Sequence, residues 1–281
     1  MSSPSFTPAA GLLPIAPTRP VAGYIGGKRN LAKVIVQRIA AIPHTTYAEP
    51  FVGMGGIFLR RDYRPKAEAI NDWSADVATF FRILQRHYVA FMDMLRFQLT
   101  TRIGFEQLLR TDPTTLTDLE RSARFLYLQR NAFGGRVSGR TFGVSPTTAA
   151  RFDITKLAPL LEAAHERLAP VVIERLPWAD FIARYDRPGT LFYLDPPYYG
   201  SEKDYVGDDG KPLFGRPEFE EMAQLLASIR GRFLLSLNDH PDVREIFAGF
   251  DFEEVWTTYQ VGGNDKAKAV PELIISGGRG G

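Results

Sequence analysis

The chain has 281 residues, 44% of them hydrophobic and 23% charged, with no cysteine and a formal net charge of +2. That length suits one large domain, or a core domain with a smaller one, in an ordinary water-soluble globular protein. The composition excludes disulfides, thiol nucleophiles and cysteine-based zinc sites, which makes a cytoplasmic setting the natural expectation, and no run of about 18 apolar residues is present to span a membrane. His44, His87, His165 and His240 are scattered without ligand spacing, so no metal site is expected.

The charge divides unevenly. Residues 82–140 hold ten Arg and no Lys against five acids (Asp93, Glu106, Asp112, Asp118, Glu120), a balance of +5 that leaves −3 for the remainder. A basic segment on an acidic body predicts a polyanion partner, although arginines on solvated helix faces give the same composition.

Residues 1–20 are rich in Pro, Ser and Ala, carry no targeting pattern, and are expected to lack stable structure. Tyr24-Ile25-Gly26-Gly27-Lys28 then precedes a helical pattern at Leu31, Val34, Ile35 and Ile39. Two glycines let the backbone approach a ligand closely, but the Walker spacing is absent and Arg29 stands where Ser or Thr would. Taken alone, an ordinary turn is the better reading.

Thr46–Glu49 is a short strand that runs into Pro50-Phe51-Val52-Gly53-Met54-Gly55-Gly56, after which Ile57, Phe58 and Leu59 begin a helix. A second strand over Ala67–Ile70 ends in Asn71-Asp72. Strand, glycine turn and helix open a nucleotide-binding α/β unit, and an acid ending the second strand is placed to accept from ribose hydroxyls. Together the two point to a nucleoside-containing cofactor.

Residues 75–132 read as helical around Phe80, Phe81, Leu84, Tyr88, Phe91, Met94 and Leu95, broken at Thr111–Thr115. Phe133–Gly143 is a glycine-rich loop or hairpin whose Arg and Phe suit phosphate clamps and an aromatic wedge, or a plain surface loop.

From Phe152 the α/β rhythm returns, with a helix over 154–168, a strand at Val171–Ile173 and a helix opening near Ala179-Asp180-Phe181. The apolar strand Leu191–Leu194 meets Asp195-Pro196-Pro197-Tyr198, where two prolines without N–H groups must end it. That tetrapeptide arises by chance in roughly one chain of this length per thousand, and a stiff turn is the plain alternative. A mobile loop (199–215), a helix (217–229), a strand (233–237), a helix (241–248), strands near 252–258 and 271–276, and a disordered Gly-rich tail complete the expected order.

In this order, Tyr-x-Gly-Gly-Lys, Glu-Pro-Phe-x-Gly-x-Gly-Gly, Asn-Asp and Asp-Pro-Pro-Tyr resemble the Dam-like (D12-class) DNA adenine N6-methyltransferases over most of residues 21–276. The resemblance implies an α/β fold. A seven-stranded Rossmann-like methyltransferase sheet would be built from residues 21–81 and 150–276, with a mainly helical DNA-recognition subdomain inserted at 82–149. It implies S-adenosylmethionine as cofactor and double-stranded DNA as partner, in a cytoplasmic prokaryotic or phage enzyme, monomeric or weakly dimeric, serving restriction-modification, repair or phage protection. Tyr24, Lys28, Glu49, Pro50, Phe51, Gly53, Gly55, Asp72, Asp180 and Asp195 would contact the cofactor, Asp180 at its adenine ring. Asp195, Pro196, Pro197 and Tyr198 would be catalytic, and Arg130, Asn131, Phe133, Arg136 and Arg140 would contact DNA.

The chemistry of these residues agrees. An adenine N6 amine is a poor nucleophile, and hydrogen bonds from its N–H groups to the Asp195 carboxylate and the Pro196 carbonyl would pyramidalise it. Tyr198 would stack on a base brought out of the helix. Where GATC-reading members carry a Tyr-Asn-Gly-like stretch, this chain has Phe133-Gly134-Gly135, so GATC specificity is not implied. Cytosine-N4 or RNA-adenine methylation and a catalytically inactive DNA-binding relative are the alternatives. Asp rather than Ser at 195, with the basic insertion, favours adenine in DNA.

Overall fold

The computed structural model describes residues 7–24, 28–143, 147, 149–201, 214–259 and 268–279. Its first half runs through β1 (Leu13–Pro14), α1 (Ala32–Ala41), β2 (Thr46–Glu49), β3 (Tyr63–Arg64) and β4 (Ala67–Asn71). Helices α2 (Ala75–Arg86), α3 (Tyr88–Leu95), α4 (Arg102–Arg110) and α5 (Asp118–Asn131) follow. The second half is α6 (Ile154–Leu168), β5 (Val172–Glu174), α7 (Trp178–Tyr185), β6 (Thr190–Leu194) and α8 (Arg216–Ser228). β7 (Arg232–Asn238), α9 (Pro241–Ile246), β8 (Asp251–Tyr259) and β9 (Lys268–Gly278) complete it.

Seven strands form one sheet in the order β5-β4-β2-β6-β7-β9-β8. The first five are parallel, and β9 runs antiparallel to both β7 and β8. Helices cover both faces, which is why the central strands are buried on both sides and read as continuous apolar runs such as Leu191–Leu194. From β2 the chain builds outward through β4 to β5, then returns to lay β6 on the other flank of β2. The switch point thus falls between β2 and β6, and in doubly wound sheets the crevice beyond those strand ends is where ligands bind.

The helices between β4 and β5 do not form a separate core. Phe80 of α2 packs against Phe91 of α3 and Phe125 of α5, with ring centroids 6.0 and 5.8 Å apart, in the apolar cluster that also holds Ile35, Leu59 and Ile70 of the sheet domain. The break expected at 111–115 is a 3-10 turn over Pro113–Thr115, opened by Asp112 accepting from the Thr114 amide. Thr117 and Glu120 then close a capping box that starts α5. Among the described residues no helix is long and apolar enough to cross a membrane.

Three expectations about the backbone need correction. Residues 7–20 have order: Leu13 and Pro14 pair with Arg64 and Tyr63, and the amides of Ala9, Ile15 and Thr18 donate to the carbonyls of Ala40, Asp62 and Leu59. A stretch without periodicity of its own takes its hydrogen-bond partners from the body, which no local pattern reveals. Residues 1–6 lie outside the described residues. After Gly56 the chain makes only a 3-10 turn (Phe58–Arg60), because Arg61 turns inward and Tyr63–Arg64 leave to pair with β1. Gly277 and Gly278, expected in a disordered tail, extend β9 by pairing with Phe233 and Arg232.

Candidate active site

Strands β2, β4 and β6 end side by side, and the residues that follow them line one cavity of about 880 Å³. Asn71 ties the strand ends together. Its Nδ2 donates to the carbonyls of Pro50 (3.0 Å) and Leu176 (3.1 Å), and its Oδ1 accepts from the Leu176 amide (2.8 Å). Asp72 shapes the glycine turn by accepting from the amides of Gly53 and Ser74, both at 2.9 Å. The turn needs its glycine at 55, where φ is +74° and an added Cβ would lie 2.9 Å from the Leu59 side chain.

Burial raises the Asp72 carboxyl to about 6 against the opposing pull of the two amides. Glu49 is shifted further, to about 8, again mainly by burial. The Tyr47 hydroxyl, which donates to it at 2.6 Å, and Arg61 oppose the shift. Arg61 stacks on the Tyr47 ring 3.7 Å from its centroid and shares buried Glu68 with Arg167, at 2.7 and 2.6 Å. At neutral pH the folded protein therefore holds a proton on Glu49 that the unfolded chain releases. That stabilisation is complete below the ordinary carboxylate value of 4.5 and is lost as pH rises through about 8. Glu49→Gln is expected to flatten this fall, its melting temperature overtaking that of the parent toward alkaline pH. Thermal melts across the range check it, and parallel curves for the two proteins would refute the assignment.

The Asp195–Tyr198 turn is gripped from three directions. Lys28, buried, places Nζ 2.6 Å from Asp195 Oδ1 and donates to the Tyr198 hydroxyl at 2.9 Å, with Glu272 Oε2 at 3.9 Å. Ser236 Oγ donates to Asp195 Oδ1 at 3.1 Å and is itself 2.9 Å from the Tyr193 hydroxyl. Asn238 brackets Tyr199, accepting from its amide at 3.0 Å and donating to its carbonyl at 3.1 Å. Residues 236 and 238 alternate onto one face of β7, so one strand fixes both ends of the turn. Burial pushes the Asp195 carboxyl up, Lys28 and Ser236 hold it down, and Glu272 adds to the rise.

The same cavity is lined by Tyr24, Lys28, Glu49, Pro50, Phe51, Gly53 and Asp72 together with Asp195–Tyr198. Gly55 supports the turn from behind. Asp180 stands apart from them, exposed in the first turn of α7. Phe181 enters the core, which directs the residue before it to solvent, and the cavity wall expected from Asp180 comes from Leu176, Pro177 and Trp178. Phe51, Phe214 and Trp178 form an aromatic corner there.

In the insertion, Arg130 and Arg140 line the cavity, while Phe133 and Arg136 are exposed on the adjoining loop. Asn131 differs from expectation. It is buried, and its amide donates to the Tyr127 carbonyl one turn back (2.9 Å), so it secures the end of α5 rather than facing the cleft. Gln129 fastens the loop to the Tyr24 segment by donating to the carbonyls of Gly23 (2.8 Å) and Gly135 (2.6 Å). Gly26, Gly27 and residues 202–213 of the loop expected to be mobile lie outside the described residues.

Sequence reasoning missed Ser236, Asn238 and Glu272. The signal for Ser236 was a lone hydroxyl inside the apolar run Phe233–Leu237, and for Glu272 an acid leading the run Leu273–Ile275.

The family described as D12 class N6 adenine-specific DNA methyltransferase matches residues 24–261. Among individual relatives, a DNA N-6-adenine-methyltransferase of Escherichia phage P1 is 26% identical over 246 residues, covering 81% of this chain and 31% of the phage protein. The chain therefore spans about a third of that relative's length. A DNA adenine methylase of Haemophilus influenzae is 26% identical over 274 residues, covering 91% of this chain and 92% of the relative. The type II methyltransferase M1.LlaDCHI of Lactococcus lactis subsp. cremoris is 22% identical over 273 residues, covering 92% and 95%.

Proposed function

We propose, since the chain belongs to the family of D12 class N6 adenine-specific DNA methyltransferases, that it transfers the methyl group of S-adenosylmethionine to the N6 of an adenine turned out of double-stranded DNA. One observation carries the reading: Asp195 and Tyr198 are held by Lys28 and Ser236 in the same cavity as the glycine turn, Glu49 and Asp72.

The residues present fit this cofactor. Asp72 keeps lone pairs for a ribose diol beyond those its two amide donors use, and buried Glu49 with partly buried Asp72 gives a cationic ligand two carboxylates to ionise. Leu176, Pro177, Trp178 and Phe214 offer an apolar wall for a flat base. The glycine turn leads into a 3-10 turn rather than the N-terminus of a longer helix, so the pyrophosphate cradle of dinucleotide folds is replaced by a site suited to a phosphate-free nucleoside. When bound, S-adenosylmethionine supplies an electrophilic methyl on a positively charged sulfur.

Lys28 and Ser236 both address Oδ1 of Asp195, which leaves Oδ2 for an incoming amine N–H. The Pro196 carbonyl takes the second N–H, and Tyr198, its hydroxyl fixed by Lys28, presents its ring to the base. As the nitrogen gains a methyl it must lose a proton, and the raised carboxyl of Asp195 is the adjacent acceptor.

A radiolabelled methyl-transfer assay on unmethylated duplex DNA, with nucleoside analysis of the product, tests the reading. Label is expected in N6-methyladenine. Label in N4-methylcytosine, or only in RNA or protein, would sink it.

A further inference from the structure

The arginines of the insertion were the expected phosphate ligands, yet half of the ten are already paired within the protein. Arg121 pairs with Asp76 at 2.6 Å, and Arg82 pairs with Asp118 at 2.5 Å. Arg124 donates to the Leu108 carbonyl, Arg130 to those of Arg151 and Val21, and Arg140 to the Arg136 carbonyl and the Gln129 side chain.

Three other arginines at the cavity are placed differently. Arg19, Arg29 and Arg60 all line it from the α/β side, and no carboxylate among the described residues pairs with any of them. Arg19 and Arg29 are exposed, and Arg60, half-buried, donates to the Gly56 carbonyl at 2.5 Å. Arg19 is brought there by the docked N-terminal segment: Thr18 donates to the Leu59 carbonyl at 2.8 Å, and Val21 accepts from Arg130 at 3.2 Å. Burial first, then the nearby Arg29 and Arg19, lower the pKa of the Arg60 guanidinium, the mark of like charges gathered without a counter-charge. Such a cluster attracts an anion.

We propose that Arg19, Arg29 and Arg60 form a phosphodiester-binding site at the edge of the cavity, gripping the backbone of the DNA strand whose base enters beside Asp195. The site rests on the function proposed above, and it gives the N-terminal segment a role, since that segment delivers Arg19. The body supplies charge to the backbone, and the insertion supplies the exposed Phe133 and Arg136.

The salt dependence of binding to a fluorescein-labelled unmethylated duplex reads the proposal directly. Each phosphate that the protein no longer neutralises makes the slope of log K against log salt shallower by about 0.9, so Arg19→Gln/Arg29→Gln/Arg60→Gln is expected to flatten the slope by about 2.7. Arg60→Lys, which keeps the charge, is expected to hold the parent slope, whereas a purely structural role for Arg60 would lose it. Arg184→Gln, on α7 and outside the cavity, serves as the control for general charge, and an equal change there overturns the site. A triple variant with the parent slope overturns it too. So does one that loses S-adenosylmethionine affinity alone, which would give these arginines to the cofactor's carboxylate. If the parent protein itself neither binds nor methylates DNA, the functional reading fails first, and the two failures are told apart.

Discussion

Asp195→Ala is expected to lower methyl transfer by about 10³-fold while leaving S-adenosylmethionine affinity within about threefold. The large loss follows from what Asp195 alone provides, a fixed carboxylate oxygen at the point where the amine must become nucleophilic. The small change in binding follows from the placement of the cofactor-side groups on other elements: Glu49 ends β2, Asp72 follows β4, and the glycine turn is held by Asp72. The fold should survive, because Lys28 keeps a second carboxylate, Glu272 Oε2, at 3.9 Å. The pH profile gives an independent check. Asp195 must be ionised to accept the amine N–H, and burial raises its pKa, so activity should fall as pH is lowered through a value above the ordinary carboxylate one of 3.8. Near-normal turnover in Asp195→Ala, measured with saturating cofactor and DNA, would remove Asp195 from the chemistry.

What the sequence made legible follows its physics. Asp195-Pro196-Pro197-Tyr198 could be placed because prolines end strands whatever surrounds them, and the acid after β4 because it ends a short apolar run. The α/β class was legible through the alternation of strand and helix, whereas the strand order is set by pairings between segments distant in sequence. The partners of the turn were not. Ser236 and Asn238 act across a parallel pairing some forty residues away from Asp195 in sequence, and only the register of β6 against β7 brings them there. The exposure of Asp180 was not legible either, because an Asp-Phe pair says nothing about which of the two faces the core, and the packing of Phe181 decides it. Asn131 was misplaced likewise, since a polar residue in an arginine-rich stretch reads as exposed until its own helix claims the amide. The N-terminal segment shows the converse error. Low periodicity marks a stretch that cannot fold alone, and residues 7–20 do not fold alone but lie on β3 and the end of α1.

Lys28→Met should have the largest effect on stability. The methionine fills the same space, but the partly buried Asp195 and the buried Glu272 then lose the ammonium they share. Removing one partner of a buried ion pair costs about 3–5 kcal/mol. Most of the loss belongs to Asp195, at 2.6 Å, and less to Glu272, at 3.9 Å. The deficit is expected to be greatest above neutral pH and to shrink in acid, where protonation of the carboxylates relieves the repulsion. Adding Glu272→Gln removes one of the two charges, so the double variant should be more stable than Lys28→Met alone, with a coupling of about 1–3 kcal/mol in the cycle. Denaturant melts of the four proteins at two pH values measure this, and strict additivity would mean that Lys28 and Glu272 act independently. The same loss reaches the chemistry. Lys28 is the strongest influence holding the Asp195 pKa down against burial, so without it the acid limb of the activity profile must move to higher pH. Activity that recovers at alkaline pH would identify Lys28 as the group that keeps Asp195 ionised. A flat loss at every pH would assign it to holding Tyr198 instead.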